Sequence, residues 1–101
     1  MTTKVLKHLN GEGISEEVVD RLISENLENK LDHYLAKFDS KEDAESTFEI
    51  FLKTNKKGLF DGKLLVKIDG VLHPFSREDY KKLDDLVNHL FDHLKEELAK
   101  K

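Results

Sequence analysis

The sequence has no cysteine, a single proline and no long apolar run. Without cysteine the chain has no disulfide, no thiolate metal site and no cysteine nucleophile. A membrane-spanning helix needs about 18 consecutive apolar residues, and the residues before Ser15 contain no hydrophobic stretch of the signal-peptide kind. These absences favour a reducing compartment, and we expect a cytoplasmic protein that does not enter a membrane.

Charged residues are abundant and unevenly distributed. They make up 38% of the 101 residues, and the formal net charge is −4. The first fifty residues carry 6 Lys and Arg against 12 Asp and Glu, whereas the remainder carries 11 against 9. The net charge disfavours a nucleic-acid partner, but the local excess of lysine between 53 and 67 leaves that partner open. The length is that of one domain, which we place at 1–101.

Hydrophobic periodicity predicts an α+β fold. Alternating apolar residues predict strands, and apolar residues three to five positions apart predict helices. The predicted elements are strand 4–9, helix 15–38, strands 47–54, 62–68 and 71–75, and a final helix capped by Ser76. Asp69-Gly70 predicts a tight hairpin, and Pro74 places the strand that follows it at a sheet edge. The β-α-β-β-β-α order then predicts a two-layer sandwich, with two helices on one face of a four-stranded, mostly antiparallel sheet.

Each predicted helix has one apolar stripe and an N-terminal cap. Ser15 caps the first helix, and Ser76 caps the last with Asp79 completing a capping box. The stripe of the first helix consists of Val18, Leu22, Leu27, Leu31, Leu35 and Phe38. The stripe of the last helix consists of Leu83, Leu86, Val87, Leu90, Phe91, Leu94 and Leu98. We expect Leu86 and Leu90 to lie deep in the core.

The closing segment of the sequence reads EDYKKLDDLVNHLFDHLKEELAKK. At Glu78, Asp79, Tyr80, Leu83, Leu86, Val87, Leu90 and Leu94 it resembles the closing helix of the ribosome hibernation-promoting and ribosome-associated inhibitor family in its short form. The preceding IDGVLHPFS is similar to the family's final hairpin. Residues 14–38, which end in Lys37-Phe38, are similar to its first helix.

The resemblance implies a fold like that of double-stranded RNA-binding domains. It also implies a translation inhibitor that binds the small ribosomal subunit near the decoding site and promotes hibernation under stress. Members of the family usually carry Lys and Arg along the outer side of the last helix. Here that side has His89 and Asp92, so a diverged protein-interaction module of the same fold, without RNA binding, is the alternative.

The candidate rRNA-binding residues are basic. They are Lys53, Lys56, Lys57, Lys63, Lys67, Arg77, Lys81 and Lys82. The first five lie on two predicted neighbouring strands and the turn between them, and Phe51 and Leu65 share a sheet face with three of them. Such a patch can hold phosphates and stack a base. The competing interpretation is a solvated face whose lysines discourage edge pairing. For Arg77, Lys81 and Lys82 we favour this interpretation of a solvated surface.

The remaining polar residues do not form a catalytic constellation. The row formed by Asp85, His89, His93 and Glu97 follows one helix side, where two histidines one turn apart can chelate zinc. The HxxxH spacing is common, however, and histidines paired with acids on a wet surface explain the row equally well. His73 and His33 are expected at the surface. We therefore expect no enzyme activity, metal, cofactor or small-molecule substrate.

Overall fold

The computed structural model describes residues 2–31, 45–68 and 70–100, and they form a four-stranded sheet with helices on one side. The strands are β1 (Thr2–Asn10), β2 (Glu45–Thr54), β3 (Phe60–Ile68) and β4 (Val71–Tyr80). The helices are α1 (Glu16–Asn26), which continues into a π-helical segment (Leu27–Leu31), and α2 (Leu83–Ala99). Within these residues, neither helix is long and apolar enough to cross a bilayer.

The strands are arranged in chain order, β1-β2-β3-β4. The β1–β2 pair is parallel, because a helical crossover separates the two strands. The other two pairs are antiparallel. Ile68 pairs with Val71 across a two-residue loop, as the predicted hairpin requires, and Gly70 has a φ of +83°. Asp69 lies outside the described residues. The predicted β-α-β-β-β-α sandwich is confirmed, including the edge position of Pro74 on β4.

The core lies between the sheet and the helices. All seven residues of the predicted α2 stripe are buried, and Leu86 and Leu90 are both fully inaccessible to solvent. The sheet contributes Phe48, Ile50, Leu52, Leu64, Val66 and Ile68. Along β2 and β3 these core residues alternate with polar and half-buried residues that face outward. The predicted buried faces of these two strands are therefore also confirmed.

The buried face of α1 differs from the predicted stripe. Val19, Leu22, Ile23 and Asn26 are buried, whereas Val18 and Leu27 are only partly covered. The buried set has the i, i+3, i+4, i+7 spacing of one helix face. The predicted set advanced by four or five residues and therefore drifted around the helix. Residues 32–38 of the predicted helix, with His33, lie outside the described residues.

The predicted start of the last helix is wrong. Ser76 lies within β4, where it pairs with Lys63. Asp79 has a φ of +59° beside a bulge in the β3–β4 register, so it is not part of a capping box. Helix α2 begins at Leu83 with Lys82 as its N-cap, and no side chain caps it. The long hydrogen-bonded pairing with β3 extends the strand beyond the residues that would otherwise favour a helix N-terminus.

His73 is buried, which contradicts the expected surface position. It lies on β4, opposite Val66, and is only 6% exposed. Val66 belongs to the core face of the sheet, and a residue directly opposite on a neighbouring strand points the same way. His73 therefore faces the helical layer.

Candidate nucleic-acid interface

The outer face of the sheet, opposite the helices, carries most of the predicted basic patch. Strand pairing arranges its residues in rows that cross the sheet. One row runs from Leu6 through Glu49 and Leu65 to Pro74. The next row runs from His8 through Phe51 and Lys63 to Ser76. Lys67 lies in the row before these, opposite Thr47, and Lys53 lies in the row after, opposite Asp61. Lysines thus flank an apolar and aromatic centre.

An aromatic stack stands in the middle of this face. The rings of His8 and Phe51 are stacked with centroids 4.4 Å apart and planes 9° from parallel. His8 Nε2 donates to Glu49 Oε2 over 2.7 Å, which holds the imidazole against its neighbour. Lys63 lies next to Phe51 in the same row. A flat ring surface beside an ammonium group is the combination that binds a nucleobase and its phosphate.

The turn between β2 and β3 is held by the side chain of Asn55. Its Oδ1 accepts hydrogen bonds from the backbone N–H groups of Lys57 and Leu59, at 2.9 and 3.1 Å. The Asn55 carbonyl accepts from the N–H of Gly58 over 3.0 Å, and Gly58 has a φ of +78° that favours glycine. These bonds present Lys56 and Lys57 at the exposed tip.

Two carboxylates lie beneath the turn and offset part of its positive charge. Asn55 Nδ2 donates to Asp61 Oδ1 at 2.9 Å and to Asp79 Oδ1 at 2.7 Å. The backbone N–H of Asp79 also donates to Asp61. That backbone donor first, and then the Asn55 amide, hold the pKa of Asp61 below its usual range. Asp61 therefore stays ionised beside the lysines.

The five lysines are spread along β2, β3 and the turn between these strands, and their charges are compensated unequally. Lys57 Nζ lies 3.2 Å from Asp79, and Lys53 Nζ lies 4.0 Å from Asp61. Lys56, Lys63 and Lys67 are exposed, and the described part of the chain offers them no ion-pair partner. These three are the strongest candidates for phosphate contacts.

Of the other three basic candidates, only Arg77 is not where the sequence placed it. Arg77 lies on β4 and not at a helix start; it is half-buried and contacts His93 of α2, while donating to the Ser76 carbonyl. Lys81 and Lys82 are exposed between β4 and α2. Arg77 points to the helical side of the sheet, because it pairs with the core residue Gly62. Its guanidinium therefore contacts α2.

The two histidines of the predicted row each make a separate contact with β4. His89 Nδ1 lies 2.6 Å from the Tyr80 hydroxyl, and the two rings meet edge to face. His93 contacts Arg77 and packs at a tilt against Phe75. Within residues 2–31, 45–68 and 70–100, no three His, Asp or Glu side chains converge as a metal site would require. These histidines join α2 to the edge strand.

A shallow cleft of about 880 Å³ opens at the end of the outer face where β1 and β2 finish. His8, Asn10, Phe51, Lys53 and Lys63 contribute to its lining. Sequence reasoning missed His8 and Asn10, because only the parallel register brings β1 beside β2. The Asn-Lys-Lys-Gly turn signal could have identified Asn55.

The protein is thus a two-layer β-α-β-β-β-α sandwich. Its open sheet face carries basic and aromatic side chains. Among solved structures, the N-terminal domain of Thermus thermophilus Protein Y aligns with a TM-score of 0.60 and 19% sequence identity, covering 96% of this chain and 97% of that domain. At this identity the likeness shows a shared fold. A crystal structure of an uncharacterized protein aligns at 13% identity, over 98% of this chain and 86% of its own, but its TM-score of 0.38 is too low to establish one. No protein-family model and no curated protein matches the sequence.

Proposed function

We propose that this protein is a ribosome-associated translation inhibitor that binds small-subunit rRNA near the decoding site and promotes hibernation under stress. The observation that carries the proposal is the fold shared with the Protein Y N-terminal domain over nearly the whole of both chains. The proposal rests as well on the resemblance of residues 78–101 and of the preceding hairpin to the ribosome hibernation-promoting family. The proposal makes this a cytoplasmic, non-enzymatic protein that acts by occupying space.

The outer face supplies the chemistry for such binding. Lys63 and Lys67 are exposed on β3, four residues apart, which separates them by about 13 Å along the strand. Lys56 extends the positive charge at the turn. Phe51 and His8 lie between the lysines as a stacking surface. Lysines would neutralise phosphates while the rings receive an unpaired base, as is usual for single-stranded RNA.

Co-sedimentation with purified small ribosomal subunits at several salt concentrations tests this proposal. We expect wild-type binding to weaken as salt rises, because phosphate neutralisation releases counterions. The double variant Lys63→Ala/Lys67→Ala should bind more weakly and flatten the log–log salt dependence by about 1.5 units, at roughly 0.7–0.9 per phosphate contact. The matched control is Lys95→Ala/Lys100→Ala, which removes the same charge from exposed positions at the end of α2.

The control also shows which surface binds. Loss of affinity in the α2 control, with unchanged affinity in the β3 variant, would move the interface to the last helix. An absence of co-sedimentation at low salt would refute ribosome binding altogether.

A protein-interaction module without RNA affinity is the second candidate, and one observation favours it. Leu6 and Leu72 on the two edge strands are 45% and 57% exposed. Together with the half-buried Phe51 and Leu65 they give the outer face an apolar component. Under this alternative, a Phe51→Ser/Leu65→Ser variant loses a protein partner, while the Lys63→Ala/Lys67→Ala variant keeps it.

A further inference from the structure

A second cleft lies between the two helices, on the opposite side of the molecule from the basic face. It has a volume of about 390 Å³. Its lining consists of seven residues, of which all but His89 carry side-chain oxygen acceptors: Glu25, Asn26, Asn29, Asp85, Asn88, His89 and Asp92. Three of these seven residues are carboxylates, and none is Lys or Arg. The cleft is therefore suited to a cation that donates hydrogen bonds.

One buried acceptor in this cleft lacks a donor. Asn26 is only 3% exposed, and its Nδ2 donates to the Leu22 carbonyl at 2.7 Å and to Asn88 Oδ1 at 3.0 Å. These two bonds orient the amide so that Oδ1 is left over, and the described residues provide no partner for it. Buried acceptors without a partner are rare in folded proteins. Asn26 Oδ1 is therefore a preformed place for an N–H donor.

The backbone changes its helical form at the same point. Asn26 is the last residue of α1, and the π-helical segment begins at Leu27. Short π-helical insertions are frequent at functional sites. Glu25 and Asn29, which also line the cleft, are exposed to solvent.

The arrangement suits an organic cation better than a metal ion. No three His, Asp or Glu side chains of the described residues converge within reach of one ion. A cleft of about 390 Å³ is also much larger than a single metal ion needs. An ammonium group has three N–H donors and no acceptor, which complements this lining.

We propose that the cleft between α1 and α2 binds an alkylammonium group, with Glu25 and Asp85 pairing its charge and Asn26 Oδ1 accepting one of its hydrogen bonds. The group belongs either to a free polyamine or to a lysine side chain of a partner protein. This site is independent of the basic sheet face, so its test stands apart from that of ribosome binding.

Titration of the ¹⁵N-labelled protein with spermidine, followed by NMR, tests the site. The solution contains about 0.15 M salt so that unspecific surface attraction is screened. We expect saturable shifts of the side-chain amides of Asn26 and Asn88 at millimolar concentration. A parallel titration uses a short acetylated peptide with one lysine. Saturation by spermidine alone assigns the site to free polyamines, and tighter saturation by the peptide assigns it to a lysine side chain.

Charge-matched variants distinguish binding in the cleft from attraction to the negative charge of the protein as a whole. Glu25→Gln/Asp85→Asn removes two lining carboxylates and should weaken the affinity by about tenfold, the equivalent of 1.4 kcal/mol. The control Glu28→Gln/Asp84→Asn removes the same charge from exposed neighbours outside the lining and should change it less than about twofold. Equal weakening in the two variants would overturn the proposal. So would the absence of saturation with both ligands, or tighter saturation by MgCl₂ than by spermidine.

Discussion

Gly62 of β3 lies directly beneath Leu86 of α2, and exchanging both residues tests how closely the helix packs on the sheet. A Cβ atom added at Gly62 would meet Leu86 Cδ2 at 2.9 Å and Cδ1 and Cγ at 3.0 Å. Leu86 is fully buried in the core cluster, so any shift of its side chain is made against other core residues. Gly62→Ala should therefore destabilise the fold by about 1–3 kcal/mol through overpacking.

The second substitution should partly relieve the first. Leu86→Ala alone should cost about 2–5 kcal/mol, because it deletes buried methyl groups and leaves a cavity. In the double variant the new Cβ occupies part of that cavity and no longer meets the leucine. The combined loss should fall short of the sum by about 0.5–3 kcal/mol, which is the usual range for residues in contact.

Urea unfolding followed by circular dichroism measures all four proteins. A domain of this size has about 5–15 kcal/mol of stability, so the single variants should remain folded in water. The control pairs Gly62→Ala with Leu98→Ala, a buried residue about 18 Å further along α2. That pair should be additive. Additivity within about 0.5 kcal/mol for Gly62 and Leu86 as well would refute the close contact.

Two further predictions concern charge and helix capping. Because the Asp79 N–H and the Asn55 amide lower the pKa of Asp61, its contribution to stability is complete above its unfolded pKa of about 3.9 and is lost as the pH falls through the folded value. The Asp61→Asn variant should therefore lose less stability than wild type between pH 6 and pH 2, and an equal loss in urea unfolding would refute the role of these bonds. Lys82→Ser should stabilise the protein by about 0.5–1 kcal/mol, because Lys82 occupies the N-cap of α2 without a side-chain cap. Lys81→Ser is its control, and an equal gain in both variants would contradict the capping explanation.

The sequence was sufficient to predict which faces of β2, β3 and α2 are buried. Leu64, Val66 and Ile68 alternate with residues that face outward. In a strand this alternation places all three side chains on the same, buried face. The stripe from Leu83 to Leu98 has the helical period over four turns. Both patterns are local, so they can be interpreted without knowing which elements meet.

The extent of β4 could not be predicted in the same way. Ser76, Glu78 and Asp79 are residues typical of a helix N-terminus, and local propensity alone starts the helix there. The chain instead pairs with β3 as far as Tyr80 opposite Phe60, with Asp79 taking a positive φ beside the bulge. A tertiary hydrogen-bond pattern therefore outweighs the local preference.

The candidate site was predicted in part for a related reason. Phe51 and the lysines of β2 and β3 follow from alternation and from an antiparallel hairpin. The stacking of His8 on Phe51 depends on a parallel register between residues 43 positions apart, and no local pattern in β1 specifies it. The ion pair between Lys57 and Asp79 likewise involves a residue beside the β3–β4 bulge, and no local sequence pattern predicts that bulge.

Chemical footprinting of rRNA in purified small subunits tests the proposed function most directly. With the wild-type protein we expect protection from modification concentrated in the decoding region, and we expect Lys63→Ala/Lys67→Ala to lose it at a concentration where Lys95→Ala/Lys100→Ala retains it. Protection confined to another part of the subunit, or no protection where the protein is in excess, would contradict binding near the decoding site.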